Sequence, residues 1–300
     1  MGDWFFERVL EKSAEIATEA GAKAEIGIPN WVSFITAKVF SSLKTNTADR
    51  EIVRRQMERN ITELIEKVNN LLMAARAQVR SRNKTDLLFI MDSLDRLPQG
   101  SDKNLFLAGG GLLKKLEGNF IYVVPISLLY DEQATLLPFD QRVILPMIPI
   151  YKRGVERNPN ESSIAQFRKL ISQRVVLEEI FTQPQETVRG LILASGGHLR
   201  DLMRLMRLAC DRTGDKITPV HARAAINILI GDYERAVLDE EYRHLITAYR
   251  TQSPPNDKVT QKLIYNNVIL VYQESDETDW KDVHPVVVRN TKFQGALRER

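Results

Sequence analysis

LLFIMDSLDR, residues 87–96, joins a run of five apolar residues to two aspartates. A short apolar run between charged residues is typical of a strand buried on both faces in a parallel sheet. Asp92 and Asp95 follow at the carboxyl end of this strand, which is the edge where open α/β sheets bind ligands. We therefore interpret the stretch as a buried strand that presents two carboxylates to a ligand.

The flanking sequence predicts the rest of a βαβ unit. A helix with one apolar face precedes the strand, over residues 57–79, and a helical stretch follows it over residues 104–116. A second apolar run, residues 120–124, predicts the next parallel strand. A proline-rich connection then leads to about Asn160.

Helical periodicity dominates the chain after Asn160. Predicted helices begin near Ser162 and Pro184, and the Gly196-Gly197 pair precedes a third one. Near the C-terminus, helices are followed by two extended segments, which indicates a hairpin. We predict an α/β core over residues 1–160, a helical lid over residues 161–215 and a C-terminal domain over residues 216–300.

Two further motifs follow the aspartates in chain order. Ser127 comes directly after the second predicted strand, and SGGHLRDL, residues 195–202, places a glycine turn before a helix that carries Arg200. A guanidinium has a fixed positive charge and forked donors that suit phosphate oxygens. The alternative is that aspartates and serines cap turns after strands, and that Arg200, Arg204 and Arg207 form a solvated basic stripe.

The order of these motifs resembles that of P-loop ATPases of the AAA+ and STAND class, in forms similar to the KAP and origin-recognition branches. The resemblance extends from about Asp86 to the C-terminus. It implies a Walker B motif in which Asp92 is the metal ligand for Mg²⁺ and Asp95 polarises the attacking water. It also implies that Ser127 is a catalytic sensor-1 residue.

The same resemblance implies that Arg200 is a sensor-2 arginine at the nucleotide and that Arg174 is a second nucleotide-binding arginine in the lid. The implied fold is α/β, with a partial parallel-sheet P-loop NTPase core, an α-helical lid and a C-terminal winged-helix-like domain. The implied cofactors are ATP and Mg²⁺.

The loop that holds nucleotide phosphates in this class is missing. No Gly-x-x-x-x-Gly-Lys-[Ser/Thr] motif, whose amides and lysine surround the phosphates, occurs in the 300 residues. The run Gly109-Gly110-Gly111 has the wrong spacing and follows the Walker B-like strand. Either an N-terminal portion is absent from this chain or the protein is a degenerate homologue. We therefore expect little or no ATP binding, with hydrolysis only if the missing part is supplied.

Three classes of function remain. The resemblance predicts a module in which nucleotide state controls lid position and assembly, with protein partners or self-association through the ATPase core, in DNA transactions, signalling or defence. The alternative is a non-enzymatic winged-helix scaffold, for which the acidic turn at residues 274–279 and the net charge of only +3 favour protein over DNA. A general α/β enzyme with Asp92 and Asp95 as an acid/base pair comes third, because no nucleophile motif accompanies them.

The composition indicates the kind of protein and its expected location in the cell. The chain is 43% apolar and 27% charged, as in globular proteins, and its apolar runs are far shorter than the roughly 20 residues that cross a bilayer. We predict a cytoplasmic protein with no membrane contact. Cys210, the single cysteine, is predicted to be buried, the four histidines show no metal-ligand spacing, and His284 before Pro285 is predicted to be structural.

Overall fold

A computed structural model describes residues 61–82, 85–98, 100–139, 141–274 and 278–299. The chain divides into two compact units, Met1–Thr85 and Asp86–Arg300, and the predicted boundaries at 160 and 215 both fall within the second. The first 60 residues of the predicted α/β core lie outside the described residues. In the first unit, helix α1 spans Ile61–Ser81 and agrees with the end of the predicted amphipathic helix, although Leu72 is its only buried residue.

The predicted parallel strands are confirmed. Strand β1, Leu88–Met91, pairs in parallel with β2, Asn119–Tyr122, so that Leu88 lies opposite Asn119. The connection between them is helical but irregular, because a π-helical turn at Asn104–Ala108 separates two short α-helices. These helices are α2, Ser101–Lys103, and α3, Gly110–Leu113.

The two faces of this strand pair differ, and the predicted burial of β1 on both faces is wrong. Successive side chains of a strand point to opposite faces. Phe89 and Phe120 stack on one face with ring centroids 5.2 Å apart, and Phe106 packs near them against Tyr122. On the other face Ile90 is 62% exposed. The apolar run predicted the strand correctly, but it could not show whether a second layer covers both faces.

The second unit continues with helices and a hairpin. Several helices begin as capping rules predict, with Asn160, Thr218 and Asp257 side chains accepting backbone N–H groups and with proline in the first turn at Pro184. The helices are α4 Glu161–Ser172, α5 Leu177–Ile180, α6 Pro184–Ser195, α7 Leu199–Cys210, α8 Pro219–Ala236, α9 Tyr242–Thr251 and α10 Lys258–Tyr265. The antiparallel strands β3 Ile269–Gln273 and β4 Asp279–Val283 follow, and then helices α11 Pro285–Val288 and α12 Thr291–Arg298.

Two local predictions are wrong. The sequence predicts a last extended segment around Trp280 to Val288, but β4 ends at Val283 and α11 begins at Pro285. Proline is well suited to the first position of a helix, and the His284 ring caps α11 by accepting the N–H of Val286. Cys210 is exposed rather than buried, because it ends α7 on the side away from the core.

One hydrophobic core extends through the helices and the hairpin. It contains residues from Ile150 to Phe293, including Phe167 in α4 and Leu205 in α7. Among the described residues, β1 and β2 contribute nothing to it. Of the helices described here, none is sufficiently long and apolar to cross a membrane.

A buried ion pair connects the hairpin to the loop before α4. Arg157 Nε donates to Asp282 Oδ2 over 2.7 Å, and Gln252 Nε2 donates to the same oxygen over 2.9 Å. The Arg157 guanidinium also lies over the Tyr249 ring, 3.6 Å from its centroid. Both charged side chains are largely withdrawn from water. Removal of one partner would therefore leave a charge with no compensation.

We predict that Asp282→Ala lowers the free energy of unfolding by about 3 kcal/mol, because the buried Arg157 charge loses its partner. Urea denaturation followed by circular dichroism measures the change. Glu156→Ala, at an exposed neighbouring position in the Arg157 loop, serves as the control and should leave the midpoint unchanged. Equal effects of the two substitutions would contradict the assignment.

Candidate functional site

The loop after β1 presents the two aspartates. Asp92 is exposed, and its Oδ1 accepts the backbone N–H of Ser93 over 2.6 Å. Ser93 has a φ of 65°, in the left-handed region, so the chain turns sharply directly after the strand. A 3₁₀ turn at Leu94–Arg96 follows and carries Asp95, which is partly buried. The two carboxylates therefore occupy the carboxyl edge of the strand pair, as predicted.

The glycine turn before α7 is fixed by close packing. Gly196 and Gly197 both have positive φ values, 61° and 88°. A Cβ on Gly197 would lie 1.9 Å from the carbonyl oxygen of Ile148, and no side chain fits there. The Tyr272 hydroxyl donates to the Gly196 carbonyl over 2.7 Å. The turn therefore needs glycine for its backbone conformation and also for the space it occupies.

Arg200 extends from the first turn of α7 to the aspartate loop. Its Nη2 lies 3.1 Å from Asp95 Oδ2, so the pair joins residues 105 positions apart in the chain. The arginine side chain is 55% exposed and the aspartate side chain 30% exposed, which makes this a solvent-screened ion pair. The structure thus brings together two of the residues that the sequence singled out, one from the sheet edge and one from the helical segment.

The other arginines of α7 have different surroundings. Arg204 forms an ion pair with Asp232 in α8, and Asp232 also pairs with Arg235. Arg207 is exposed. The three arginines therefore do not form one uniform solvated stripe, because Arg200 and Arg204 each contact a carboxylate from another element.

Among the described residues, Ser127 and Arg174 form no polar contact with this pair. Ser127 is buried in a 3₁₀ turn at Ile126–Tyr130, and the Tyr130 carbonyl at the end of this turn accepts Gln261 Nε2 over 2.5 Å. Arg174 is exposed just beyond the end of α4. Within the described segments, no hydrogen bond or ion pair joins either residue to Asp92, Asp95 or Arg200. Their predicted roles remain predictions.

A buried polar cluster lies behind Arg200. Asp201 Oδ2 is 2.8 Å from His198 Nδ1, and it accepts the Tyr233 hydroxyl over 2.7 Å. His284 places its Nε2 3.2 Å from the same oxygen, and its ring stacks on that of Tyr233. The four side chains come from the start of α7, from α8 and from the residue that caps α11.

The cluster holds Asp201 in its charged form. Burial alone would raise the pKa of the Asp201 carboxyl, but interactions with His198 and His284 outweigh burial and hold that pKa well below its ordinary range. Burial lowers the pKa of His284, and burial together with the Asp201 charge raises the pKa of the Tyr233 phenol. The Asp201 carboxylate therefore keeps its negative charge although it is buried.

Sequence reasoning missed this cluster and found no group of histidines with metal-ligand spacing. His198, Asp201 and His284 nevertheless come together, with one possible ligand atom from each residue within 4.8 Å of the others. The His198 and Asp201 spacing of three residues at a helix start is a signal that sequence could have used. His284 gives no such signal, because only the folded chain returns it to α7.

No protein-family model, curated protein or solved structure matches this chain. The case for function therefore depends on the motifs and on the geometry described above.

We predict that Gly197→Ala lowers the free energy of unfolding by about 2–4 kcal/mol, because the new Cβ would clash with the Ile148 carbonyl at a positive φ. Gly190→Ala is the matched control, since Gly190 lies within α6 with open space around it. The control should be neutral or more stable by about 0.5–1 kcal/mol. Urea denaturation of both variants tests this contrast, and a Gly197→Ala protein as stable as wild type would refute it.

We also predict a coupling free energy of about 0.2–1 kcal/mol between Asp95 and Arg200, because both side chains are partly exposed. A double-mutant cycle with Asp95→Ala, Arg200→Ala and the double variant measures it by urea denaturation. The coupling should shrink between about 0.05 M and about 1 M NaCl, since salt screens exposed charges. A coupling that is independent of salt would show that another contact joins the two residues.

Proposed function

We propose that this chain is an ATPase-family module of the AAA+/STAND class, in which nucleotide state is coupled to the position of a helical lid. The observation that carries the proposal is the ion pair between Asp95 and Arg200. It joins the acidic loop of a Walker B-like strand to the arginine of a sensor-2-like helix. These are the two elements between which nucleotide lies in the class that the motifs resemble.

The order of elements supports the same proposal. Two parallel strands joined by a helical connection end in an acidic loop, and a helical segment follows them in the chain. In a P-loop core, ligands bind at the carboxyl edge of such strands. Asp92 and Asp95 lie at this edge, and Arg200 approaches it from the lid side.

The residues at this edge fit one end of a nucleotide and not the whole of it. The exposed Asp92 carboxylate is an oxygen donor of the type Mg²⁺ prefers, and Arg200 offers forked donors for phosphate oxygens. The sequence contains no Gly-x-x-x-x-Gly-Lys-[Ser/Thr] loop for the remaining phosphates. We therefore propose weak nucleotide binding by this chain as given, and full binding only with a phosphate loop supplied.

The Asp95–Arg200 ion pair suggests how the proposed lid would respond to nucleotide. Arg200 is now neutralised by a single carboxylate at a partly exposed position. Phosphate offers more negative charge and accepts two parallel hydrogen bonds from a guanidinium. If Arg200 bound phosphate in place of Asp95, the Asp95 carboxylate would be free to orient water, which is the role that the motif implies. The observed pair then corresponds to the nucleotide-free resting arrangement.

Titration of the isotope-labelled chain with Mg·ATP, followed by amide NMR shifts, tests the proposal. We predict binding in the millimolar range with shifts concentrated in residues 92–96 and 196–200. Asp92→Ala and Arg200→Ala should each weaken the binding by about tenfold or more, because each removes a charged phosphate or metal contact. Arg207→Ala is the matched control, an exposed arginine on the same helix, and should bind as wild type does.

Two results would count against the proposal. Shifts outside both segments, or shifts that Arg200→Ala and Arg207→Ala reduce equally, would indicate non-specific attraction to basic side chains. Micromolar binding that Asp92→Ala abolishes would contradict the missing-loop interpretation, since it would require phosphate donors that the motif search did not find.

A non-enzymatic scaffold is the second candidate. Helices α9 and α10 followed by the β3–β4 hairpin have the element order of a winged helix, which supports an interaction role. Lys262 on α10 forms an ion pair with the buried carboxylate of Glu241, so its charge is already compensated. With an acidic turn between the strands as well, this surface suits a protein partner better than DNA. The absence of any nucleotide-induced shift would favour this candidate.

A further inference from the structure

Three possible metal ligands meet in the core at the base of the lid helix. One ligand atom from each of His198, Asp201 and His284 lies within 4.8 Å of the others. Their residues are 8%, 5% and 0% exposed. His198 and Asp201 belong to the start of α7, whereas His284 comes from the far end of the hairpin. Such a convergence of two imidazoles and a carboxylate is a typical donor set for zinc.

One atom of this group lacks the partner that burial demands. His284 Nε2 is fully buried and has no hydrogen-bond partner, although Asp201 Oδ2 is only 3.2 Å away. The distance permits an ionic contact, but the direction does not satisfy a hydrogen bond. Buried polar atoms of native proteins are nearly always satisfied, and a missing ion is one recognised explanation of an exception.

We propose that His198, Asp201 and His284 form a buried zinc site. Zinc bonds of about 2.0–2.1 Å in tetrahedral geometry place neighbouring ligand atoms about 3.3 Å apart. The observed separations are 2.8 Å from His198 Nδ1 to Asp201 Oδ2 and 3.2 Å from His284 Nε2 to the same oxygen. Two of the three separations are therefore near the value that zinc needs, and the third is within 4.8 Å.

The fourth ligand would be the Tyr233 hydroxyl oxygen or a water molecule. The Tyr233 hydroxyl lies 2.7 Å from Asp201 Oδ2, on the same oxygen that the two histidines approach. Zinc in proteins is almost always four-coordinate, so three protein ligands leave one position to fill. The ion would therefore hold the start of α7 to the segment after β4.

Zinc binding changes the protonation of both histidines. The facing nitrogen of each histidine must offer its lone pair, so a proton on that nitrogen moves to the other ring nitrogen or is released to solvent. At His284 this gives up the 3.3 Å contact in which Nδ1 accepts the Val286 N–H. Nδ1–H and the Val286 N–H would then both be donors, so one of them must turn to another acceptor, and two metal–nitrogen bonds outweigh this cost.

The test is a zinc titration of chelator-treated protein by calorimetry, with metal content measured by mass spectrometry. We expect one zinc per chain and a higher unfolding temperature with zinc than without it. His198→Gln and Asp201→Asn keep hydrogen-bonding capacity but remove a ligand, and each should weaken zinc binding by at least about tenfold. Circular dichroism verifies that each variant is folded.

His244→Gln is the matched control. His244 Nε2 also faces a carboxylate, that of Asp257 at 3.3 Å, and its Nδ1 is buried without a partner. In the described part of the chain, His244 has no third ligand beside it. Zinc binding should therefore be unchanged in this variant. Equal loss in His244→Gln and His198→Gln would overturn the assignment.

Cobalt provides a measurement on the unaltered chain, in case the variants do not fold. Co²⁺ at the site should give the visible absorption of a four-coordinate nitrogen and oxygen site, and zinc should abolish it by displacement. No visible band, together with no zinc binding by wild type, would mean that the cluster is a metal-free hydrogen-bond network. Neither result depends on nucleotide, so failure here leaves the proposed ATPase-family role untouched.

Discussion

The buried carboxylate of Asp201 links three elements of the second unit, and the direction of α7 side chains depends on it. It lies in the core, where a lone charge would be costly, and its neighbours come from α7, from α8 and from the segment after β4. Adjacent residues of a helix point about 100° apart around its axis. With Asp201 fixed inward, Arg200 is directed out of the core and toward the loop after β1. The buried Asp201 carboxylate thus determines where the exposed Arg200 guanidinium lies.

Sequence reasoning succeeded where local rules dominate. The acidic run after β1, the glycine break at Gly196-Gly197 and the capped starts of several helices each follow from a few neighbouring residues. The order of motifs in a resembling class predicts Asp95 and Arg200 at one nucleotide site, but it does not predict the direct ion pair between them.

The misses concern burial and long-range contact. The apolar run of β1 predicts a strand covered on both faces, yet one face is exposed. The prediction is wrong because a run of apolar residues does not show how many layers surround the strand. Cys210 fitted an apolar helix stripe but sits at the end of α7 in contact with solvent. His284 contacts Asp201 only because the fold places the end of the hairpin beside α7. All three depend on tertiary packing, which residue periodicity does not encode.

The contacts on the two sides of α7 differ sharply in their contribution to stability. On its inner side, the helix shares one core with the C-terminal hairpin and adds the buried Asp201 cluster. On its outer side, the described contacts to the strand pair's acidic loop include the partly exposed Asp95–Arg200 pair, which contributes at most about 1 kcal/mol. Helix α7 and the hairpin are therefore expected to move together, whereas the Asp95–Arg200 contact can break at low cost.

This asymmetry limits what the ion pair can do as a switch. A tenfold change in a conformational equilibrium requires about 1.4 kcal/mol, which is more than a screened surface pair supplies. Loss of the Asp95 contact alone would thus change an equilibrium between two positions of α7 by less than tenfold, and salt would reduce the effect further. A ligand that shifts this equilibrium strongly must bind the two arrangements with very different affinities. In the proposed ATPase-family role, phosphate at Arg200 would meet this condition only if further groups held it, so a phosphate-binding loop would be needed for switching as well as for affinity.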